Sequence, residues 1–215
     1  MDPVAARLQM VDQQIRTWEV LDPRVLDVVA EVPREFFVPE RYRELAFADA
    51  PIPIGHGECM LTPKLQARIL QALGLAGMDR VLEVGTGTGY LAACMSLLVA
   101  ETTSIDIHAD FTATAAASIR KVAGARVHTL VHDAFGAPLG EFDAIALTGS
   151  LPVYDARFER ALRVGGRLFL VVGGSPVMEA MLVRRVGPTE WLRESLFETV
   201  VAPLTGAEPA PRFVF

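Results

Sequence analysis

The 215-residue chain has few of the features that mark secreted, membrane-spanning or metal-scaffold proteins. Its two cysteines, Cys59 and Cys94, are too few for a disulfide or metal-binding framework. No histidine stands at metal-ligand spacing from a cysteine or from a second histidine. No apolar run approaches the roughly 18 residues of a membrane span, and the first residues lack the basic and then apolar segments of a signal peptide. We therefore expect a cytoplasmic protein without a metal site and without a membrane partner.

Basic charge is also scarce. Lysine and arginine number 20 against 26 aspartates and glutamates, which gives a net charge of −6. Proteins that bind nucleic acid non-specifically usually carry a basic stripe, so we expect no nucleic-acid partner, whereas a peptide substrate remains compatible. The hydrophobic content of 51% supports a large core, and the length fits one domain, with or without an appendage. The oligomeric state is left open.

A glycine-rich turn is the most informative motif of the chain. An apolar run contains Glu83 and leads into Gly85-Thr86-Gly87-Thr88-Gly89, which is followed by Tyr90. Glycines permit positive φ and let a ligand approach the backbone, whose N–H groups then point at it. A dinucleotide-binding site would need Gly or Ala at position 90, where this chain has Tyr, and a Walker loop would need G-K-[ST], which is absent here. The motif therefore fits neither kind of site. The glycines alone also fit an ordinary strand-to-helix turn.

The spacing E-x-G-x-G-x-G resembles the first motif of S-adenosylmethionine-dependent methyltransferases. This resemblance implies that Glu83, Gly85, Thr86, Gly87, Gly89 and Tyr90 bind the cofactor. S-adenosylmethionine carries a sulfonium, and an acidic Glu83 near the turn suits that positive charge.

Strands alternate with helices beyond residue 80, which predicts a mostly parallel sheet with both faces covered. The predicted strands cover 81–84, 103–107, 127–131, 142–148 and 166–172, and the predicted helices cover 90–98, 111–122 and 154–162. Residues 181–186 and 196–201 predict a closing antiparallel hairpin. The fold class is therefore α/β with a doubly wound sheet, and the resemblance implies the Rossmann-like sheet of a class I methyltransferase.

The first third of the chain lacks this alternation of strands and helices. Residues 3–42 predict short helices, and residues 45–61 predict an ordered loop without a regular period. Thr62 and Pro63 are typical of an N-cap and a first helical position. We divide the chain into an N-terminal helical segment with a substrate loop, 1–75, and a cofactor-binding methyltransferase domain, 76–215.

Acidic residues follow the predicted strands at the edge where ligands of such sheets bind. Asp106 lies about 20 residues beyond the glycine turn, where a carboxylate accepts from ribose hydroxyls, and Asp133 could accept from an adenine amino group. The alternatives are a helix cap or surface carboxylate for Asp106 and a simple turn aspartate for Asp133. Ile107, Ala134 and Thr148 complete the predicted cofactor-binding set.

Several stretches together resemble the protein-L-isoaspartate O-methyltransferase family. They are residues 10–16, 32–39, 51–57, 81–90, 142–148, 165–168 and 202–205. The resemblance covers nearly the whole chain. It implies S-adenosylmethionine as cofactor and peptides or proteins with isoaspartyl residues as substrates.

The chain departs from that family at one important place. After the Pro-x-Gly-x-Gly loop the family typically reads Thr-Ile-Ser-Gln-Pro, whereas residues 59–63 read Cys-Met-Leu-Thr-Pro. The family serine, implied to hold the substrate carboxylate, therefore falls on Leu61. Thr62, His56, Thr148 and Ser150 are candidate substitute donors, each with a structural role as its alternative. Losing one hydrogen bond to a charged group costs about 1.5–3 kcal/mol.

Three hypotheses follow. In the first, the protein methylates isoaspartyl carboxylates, which are ionised near neutral pH since their reference pKa is about 4 and therefore need no general base. In the second, the methyl acceptor differs, because apolar Leu61 favours a less charged substrate. In the third, the chain is a non-catalytic module that binds the cofactor.

Overall fold

The computed structural model describes residues 2–124 and 126–207. The chain begins with α1 (Pro3–Met10), which continues through a π-helical turn and a 3-10 turn to Trp18, and with α2 (Pro23–Glu31). Asp2 and Asp22 cap these helices by accepting from the backbone N–H of Val4 at 3.0 Å and of Arg24 at 2.9 Å. Two 3-10 turns follow, Arg34–Phe36 and Glu40–Leu45. The prediction of short helices is confirmed.

The predicted loop over 45–61 is partly wrong, because it contains an antiparallel hairpin of β1 (Ile52–Gly55) and β2 (Glu58–Met60). Its strands are too short to show an alternating pattern. His56 turns the hairpin with φ of 51°. The next element is α3 (Pro63–Leu73), whose N-cap is Thr62, as predicted. No described helix is long and apolar enough to cross a membrane.

The main sheet has seven strands. In chain order they are β3 (Arg80–Val84), β4 (Glu101–Asp106), β5 (Val127–Val131), β6 (Phe142–Leu151), β7 (Leu162–Gly174), β8 (Val177–Gly187) and β9 (Glu190–Thr199). Their order across the sheet is β5-β4-β3-β6-β7-β8-β9. The pairs from β5 to β7 are parallel, and β8 and β9 add antiparallel strands. The predicted α/β fold with its closing hairpin is confirmed.

The helices of this half are α4 (Tyr90–Leu98), α5 (Ala109–Ala123) and α6 (Ala156–Arg160). The helix predicted over 154–162 is too long at both ends. Asp155 is its N-cap and accepts from the backbone N–H of Arg157, while Leu162 already pairs with Phe142 as the start of β7. In contrast, β8 extends beyond both of its predicted ends, while β9 begins at Glu190 instead of residue 196 and ends at Thr199 instead of residue 201.

The core lies on both faces of the sheet. One buried cluster joins the N-terminal helices, α3, α4 and α5 to one face. The other face is covered by α6 and by the segment 134–139. The N-terminal helices thus share a core with the sheet, and the division at residue 75 stays a prediction. Residues 208–215 of the predicted second domain lie outside the described residues.

Candidate cofactor and acceptor site

A cavity of about 430 Å³ lies at the carboxyl ends of the parallel strands. The chain runs from β3 outward to β5 and then crosses to β6, so the order reverses between β3 and β6. Ligands of open α/β sheets bind at such a reversal. Most of the predicted site residues line this cavity. They are Leu61, Thr62, Glu83, Gly85, Thr86, Gly87, Tyr90, Asp106, Ile107, Asp133, Ala134 and Thr148.

The three glycines of the turn have different roles. All have positive φ: 96° at Gly85, 50° at Gly87 and 85° at Gly89. A Cβ on Gly85 would collide with the Thr148 hydroxyl. A Cβ on Gly89 would lie 2.8 Å from the Cβ of Ala115 in α5, and Gly89 is absent from the cavity lining. Gly89 therefore permits the close packing of α4 on α5, a role that the motif alone did not reveal.

Thr148 braces the glycine turn from β6. Its hydroxyl lies 3.0 Å from the carbonyl oxygen of Val84 and 2.8 Å from that of Gly85, and donates to them. Because the single hydroxyl proton is engaged by the backbone, Thr148 is a wall of the cavity and not a free donor toward a substrate.

Glu83 is fully buried at the floor of the site. One carboxyl oxygen accepts from the Ser104 hydroxyl, and the other, Oε1, has no hydrogen-bond partner among the described residues. Burial raises the pKa of the carboxyl from 4.5 to about 8, and the nearby Asp106 charge adds to the rise. The sequence predicted a carboxylate facing a cation. With a pKa of about 8, the buried carboxyl is mainly protonated at neutral pH in the cofactor-free protein.

Asp106 ties the glycine turn to the end of β4. Its Oδ2 accepts from the backbone N–H of Gly87 at 2.9 Å, and its Oδ1 accepts from that of His108 at 2.9 Å. Each carboxylate oxygen keeps a further lone pair for a ligand hydroxyl. Asp133 accepts from the backbone N–H of Phe135 at 2.8 Å, the arrangement of a turn aspartate, and it also lines the cavity.

Arg34 packs behind the cavity, in contact with the cavity residues Tyr90 and Leu61. Arg34 is fully buried and donates to the carbonyl oxygens of Ala46 at 2.8 Å and Leu61 at 2.7 Å, and also to the side chain of Gln66. Its guanidinium lies 4.9 Å from the centre of the Tyr90 ring. Burial lowers the pKa of Arg34 to about 10, so it stays charged at neutral pH. Arg34 thus fixes the backbone at Leu61.

The candidate substitutes for the family serine differ in availability. Leu61 is half-buried and apolar where it lines the cavity. Ser150 is buried and donates to the carbonyl oxygen of Val201 at 2.9 Å, which confirms the structural alternative for that residue. Thr62 only accepts, from the backbone N–H of Leu65 at 3.4 Å. Its hydroxyl proton remains available, and its side chain belongs to the cavity lining.

His56 lies outside the cavity lining, at the tip of the β1–β2 hairpin. Its Nε2 lies 2.9 Å from Oδ2 of Asp110, and this contact lowers the pKa of the Asp110 carboxyl. Its ring stacks on His108 with centroids 4.0 Å apart and planes 11° apart. His56 therefore joins the hairpin to the start of α5, and its predicted role at the acceptor stays a prediction.

Folding also brings together three groups that could ligate a metal. Ligand atoms of His56, His108 and Asp110 all lie within 4.8 Å of one another, which spacing along the sequence did not indicate. The two imidazole planes are nearly parallel, so their in-plane lone pairs run side by side and do not converge on one ion. The absence of a metal site stays a prediction.

Lys64 is a cavity residue that the sequence reasoning missed. It lies in the first turn of α3, and its Nζ is 2.6 Å from Oδ2 of Asp49 and 4.0 Å from the centre of the Trp18 ring. Both Lys64 and Trp18 line the cavity. The sequence feature that could have indicated this residue is its position, three residues after Leu61, in a chain that has only one other lysine, Lys121.

Comparison with known proteins agrees with this geometry. The family model for protein-L-isoaspartate(D-aspartate) O-methyltransferase (PCMT) matches residues 5–209. A protein-L-isoaspartate O-methyltransferase of Roseiflexus castenholzii is 38% identical over 96% of this chain and 94% of its own. Protein-L-isoaspartate O-methyltransferase 1 of Rhodopseudomonas palustris is 36% identical over 97% and 89%.

Solved structures show the same fold. A PCMT from Plasmodium falciparum, in complex with S-adenosyl-L-homocysteine, superposes with a TM-score of 0.81 at 18% identity and covers 93% of this chain and 98% of its own. A second protein-L-isoaspartate O-methyltransferase gives a TM-score of 0.78 at 22% identity, over 93% of this chain and 66% of its own. From the family model and the close relatives together, this chain belongs to the protein-L-isoaspartate(D-aspartate) O-methyltransferase family.

Proposed function

We propose that this protein is an S-adenosylmethionine-dependent O-methyltransferase that acts on the free α-carboxylate of isoaspartyl residues in peptides and proteins. One observation carries the proposal. The glycine turn, the strand-end carboxylates and residues 59–62, which stand at the family's acceptor motif, all line one cavity of about 430 Å³. That volume falls within the roughly 300–1,000 Å³ of small-molecule sites. The relatives that match nearly the whole chain carry the name of this activity.

The residues present fit S-adenosylmethionine. Gly85 and Gly87 line the cavity with positive φ, and Asp106 has lone pairs free for ribose hydroxyls. Asp133 lies at the end of β5, where an adenine amino group would donate to it. Three buried atoms of cavity residues, Oε1 of Glu83, the Tyr90 hydroxyl oxygen and Nε2 of His132, have no hydrogen-bond partner in the described parts of the chain. These unsatisfied groups indicate a polar ligand.

The chemistry needs positioning and no proton transfer. S-adenosylmethionine supplies an electrophilic methyl group on a sulfonium. A carboxylate oxygen of the substrate forms a bond to the methyl carbon, the carbon–sulfur bond breaks, and its electron pair stays on sulfur. The products are a methyl ester and a neutral thioether. The protein holds the two reactants in line and excludes water, which accounts for a large part of such rate enhancements.

Thr62 is the hydroxyl donor that we assign in place of the family serine. Its oxygen caps α3, its proton is not engaged elsewhere among the described contacts, and it lines the cavity one position beyond Leu61. Arg34 supports this arrangement because it fixes the carbonyl of Leu61 at 2.7 Å.

A different methyl acceptor is the second candidate. The half-buried Leu61 favours it, since an apolar side chain there suits a less charged substrate. A non-catalytic module that only binds the cofactor is the remaining alternative. In either case we propose a protein that works in the cytoplasm, without nucleic-acid or membrane partners.

The test is methyl transfer from labelled S-adenosylmethionine to two matched peptides, one with isoaspartate and one with aspartate. Native protein is compared with the Leu61→Ser and Thr62→Val variants. Selective labelling of the isoaspartyl peptide, weakened by Thr62→Val, supports the proposal. Labelling by Leu61→Ser alone indicates a changed acceptor site on an intact cofactor fold. Cofactor binding with no labelled product in any cell extract supports the non-catalytic module.

A further inference from the structure

The charges around the cavity pose a problem for an anionic substrate. Four carboxylate side chains besides the buried Glu83 line it: Glu58, Asp106, Asp133 and Glu198. Among the described residues of the lining, Lys64 is the only lysine or arginine. Like charges repel strongly in a partly enclosed site. A carboxylate substrate therefore needs a cation close by, and Lys64 is the side chain placed to provide it.

The position of Lys64 matches the acceptor side of the cavity. Its residue lies in the first turn of α3, directly after the segment that ends in Leu61 and Thr62. The ammonium rests 4.0 Å above the Trp18 ring, and Trp18 also lines the cavity. An aromatic face stabilises a cation at this distance and holds it in one place.

The present partner of Lys64 is easily exchanged. Its ammonium lies 2.6 Å from a carboxylate oxygen of Asp49, but the side chains of Lys64 and Asp49 are 22% and 38% exposed. Such partly exposed ion pairs contribute little to stability. A substrate carboxylate can thus replace or share Asp49 at small cost. Asp49 therefore competes with a substrate carboxylate for the ammonium, which the Trp18 ring holds in place.

We propose that Lys64 is the anion-binding residue of the acceptor site, and that it holds the isoaspartyl α-carboxylate through the oxygen that is not methylated. This inference rests on the proposed function and deepens it, because it selects acceptors that carry a negative charge. The attacking oxygen loses its charge as the ester forms, so the attraction to Lys64 is strongest before the reaction. Lys64 therefore acts in substrate binding, and the neutral ester leaves readily.

The kinetic test compares Lys64→Met, Lys64→Arg, Asp49→Asn and Lys121→Met. Lys121 is the matched control, because it is the other lysine and lies exposed on α5. We expect Lys64→Met to raise KM for the isoaspartyl peptide about tenfold or more, with kcat changed much less. Lys64→Arg should keep KM close to the native value, because it retains the positive charge. Asp49→Asn should lower KM by removing the competing carboxylate, and Lys121→Met should have the native KM. A native KM in Lys64→Met, with the native protein active, overturns the proposal and leaves the proposed function standing.

A binding test distinguishes failure of the Lys64 assignment from failure of the proposed function. Native protein saturated with S-adenosyl-L-homocysteine is titrated with the isoaspartyl peptide by calorimetry, and both lysines are trace-acetylated with and without peptide. Weaker binding by Lys64→Met, together with peptide protection of Lys64 but not of Lys121, supports the assignment even if no turnover is found. Equal acetylation of Lys64 with and without saturating peptide overturns it. The labelling uses native protein, so it stays decisive if Lys64→Met fails to fold.

Discussion

Replacing Glu83 by glutamine should change how the stability of the cofactor-free protein depends on pH. Burial raises the pKa of this carboxyl from 4.5 to about 8 in the folded protein. The contribution of the Glu83 carboxyl to the free energy of unfolding is therefore fully present below pH 4.5, where the carboxyl is protonated in both the folded and the unfolded state. It is lost progressively as the pH rises toward 8, because the unfolded chain releases the proton and the folded protein keeps it.

The magnitude follows from the two pKa values. Between them one more proton is bound in the folded state, so the free energy of unfolding falls by about 1.4 kcal/mol per pH unit. From pH 5.5 to 7.5 the native protein should lose about 2.5 kcal/mol relative to Glu83→Gln, whose amide does not titrate. Glutamine can still accept from the Ser104 hydroxyl, so the partner is not left unpaired.

The measurement is urea unfolding of native protein and Glu83→Gln at half-unit steps of pH, without cofactor. Comparing native protein with Glu83→Gln cancels the titration of the groups that do not interact with Glu83. Glu101→Gln is the control, since Glu101 lies on the neighbouring strand at the surface and pairs with Arg80 at 3.1 Å. A constant difference between native and Glu83→Gln from pH 5.5 to 7.5 would refute the reasoning, because it would mean that Glu83 is already ionised in the folded protein.

Three further changes test the site. Gly85→Ala places a Cβ against the Thr148 hydroxyl at a φ of 96° and should weaken cofactor binding at least about tenfold by calorimetry, with partial recovery when Thr148→Ala is added. Asp106→Asn removes a charged acceptor from the N–H of Gly87 and should weaken cofactor binding about tenfold or more while circular dichroism stays native; unchanged affinity would remove Asp106 from the ribose site. Arg34→Met leaves the buried carbonyl of Ala46, the partly buried carbonyl of Leu61 and the Gln66 side chain without their donor, and should lower the free energy of unfolding by at least about 2 kcal/mol in urea; native stability would show that water replaces the guanidinium.

The order of strands and helices was predictable because the local pattern and the tertiary structure agree there. The helix Tyr90–Leu98 and the strand Val127–Val131 have the predicted bounds. The β1–β2 hairpin was missed because each strand has only three or four residues, and its pairing depends on the turn at His56. The last strands were predicted too short because their pairing across the sheet, and not their composition, sets where they end.

The glycine turn and the strand-end carboxylates were predictable from the sequence alone. They are close in the chain to the strands that position them, so the short-range pattern was enough. The close packing at Gly89, the pKa of Glu83 and the placement of Lys64 depend on the tertiary structure. The close contact with α5 requires a glycine at position 89, and burial raises the pKa of Glu83. Lys64 is held by Trp18 and Asp49, which lie 46 and 15 residues away along the chain. Packing, desolvation and charge pairing depend on which distant residues become neighbours, and no local pattern encodes that.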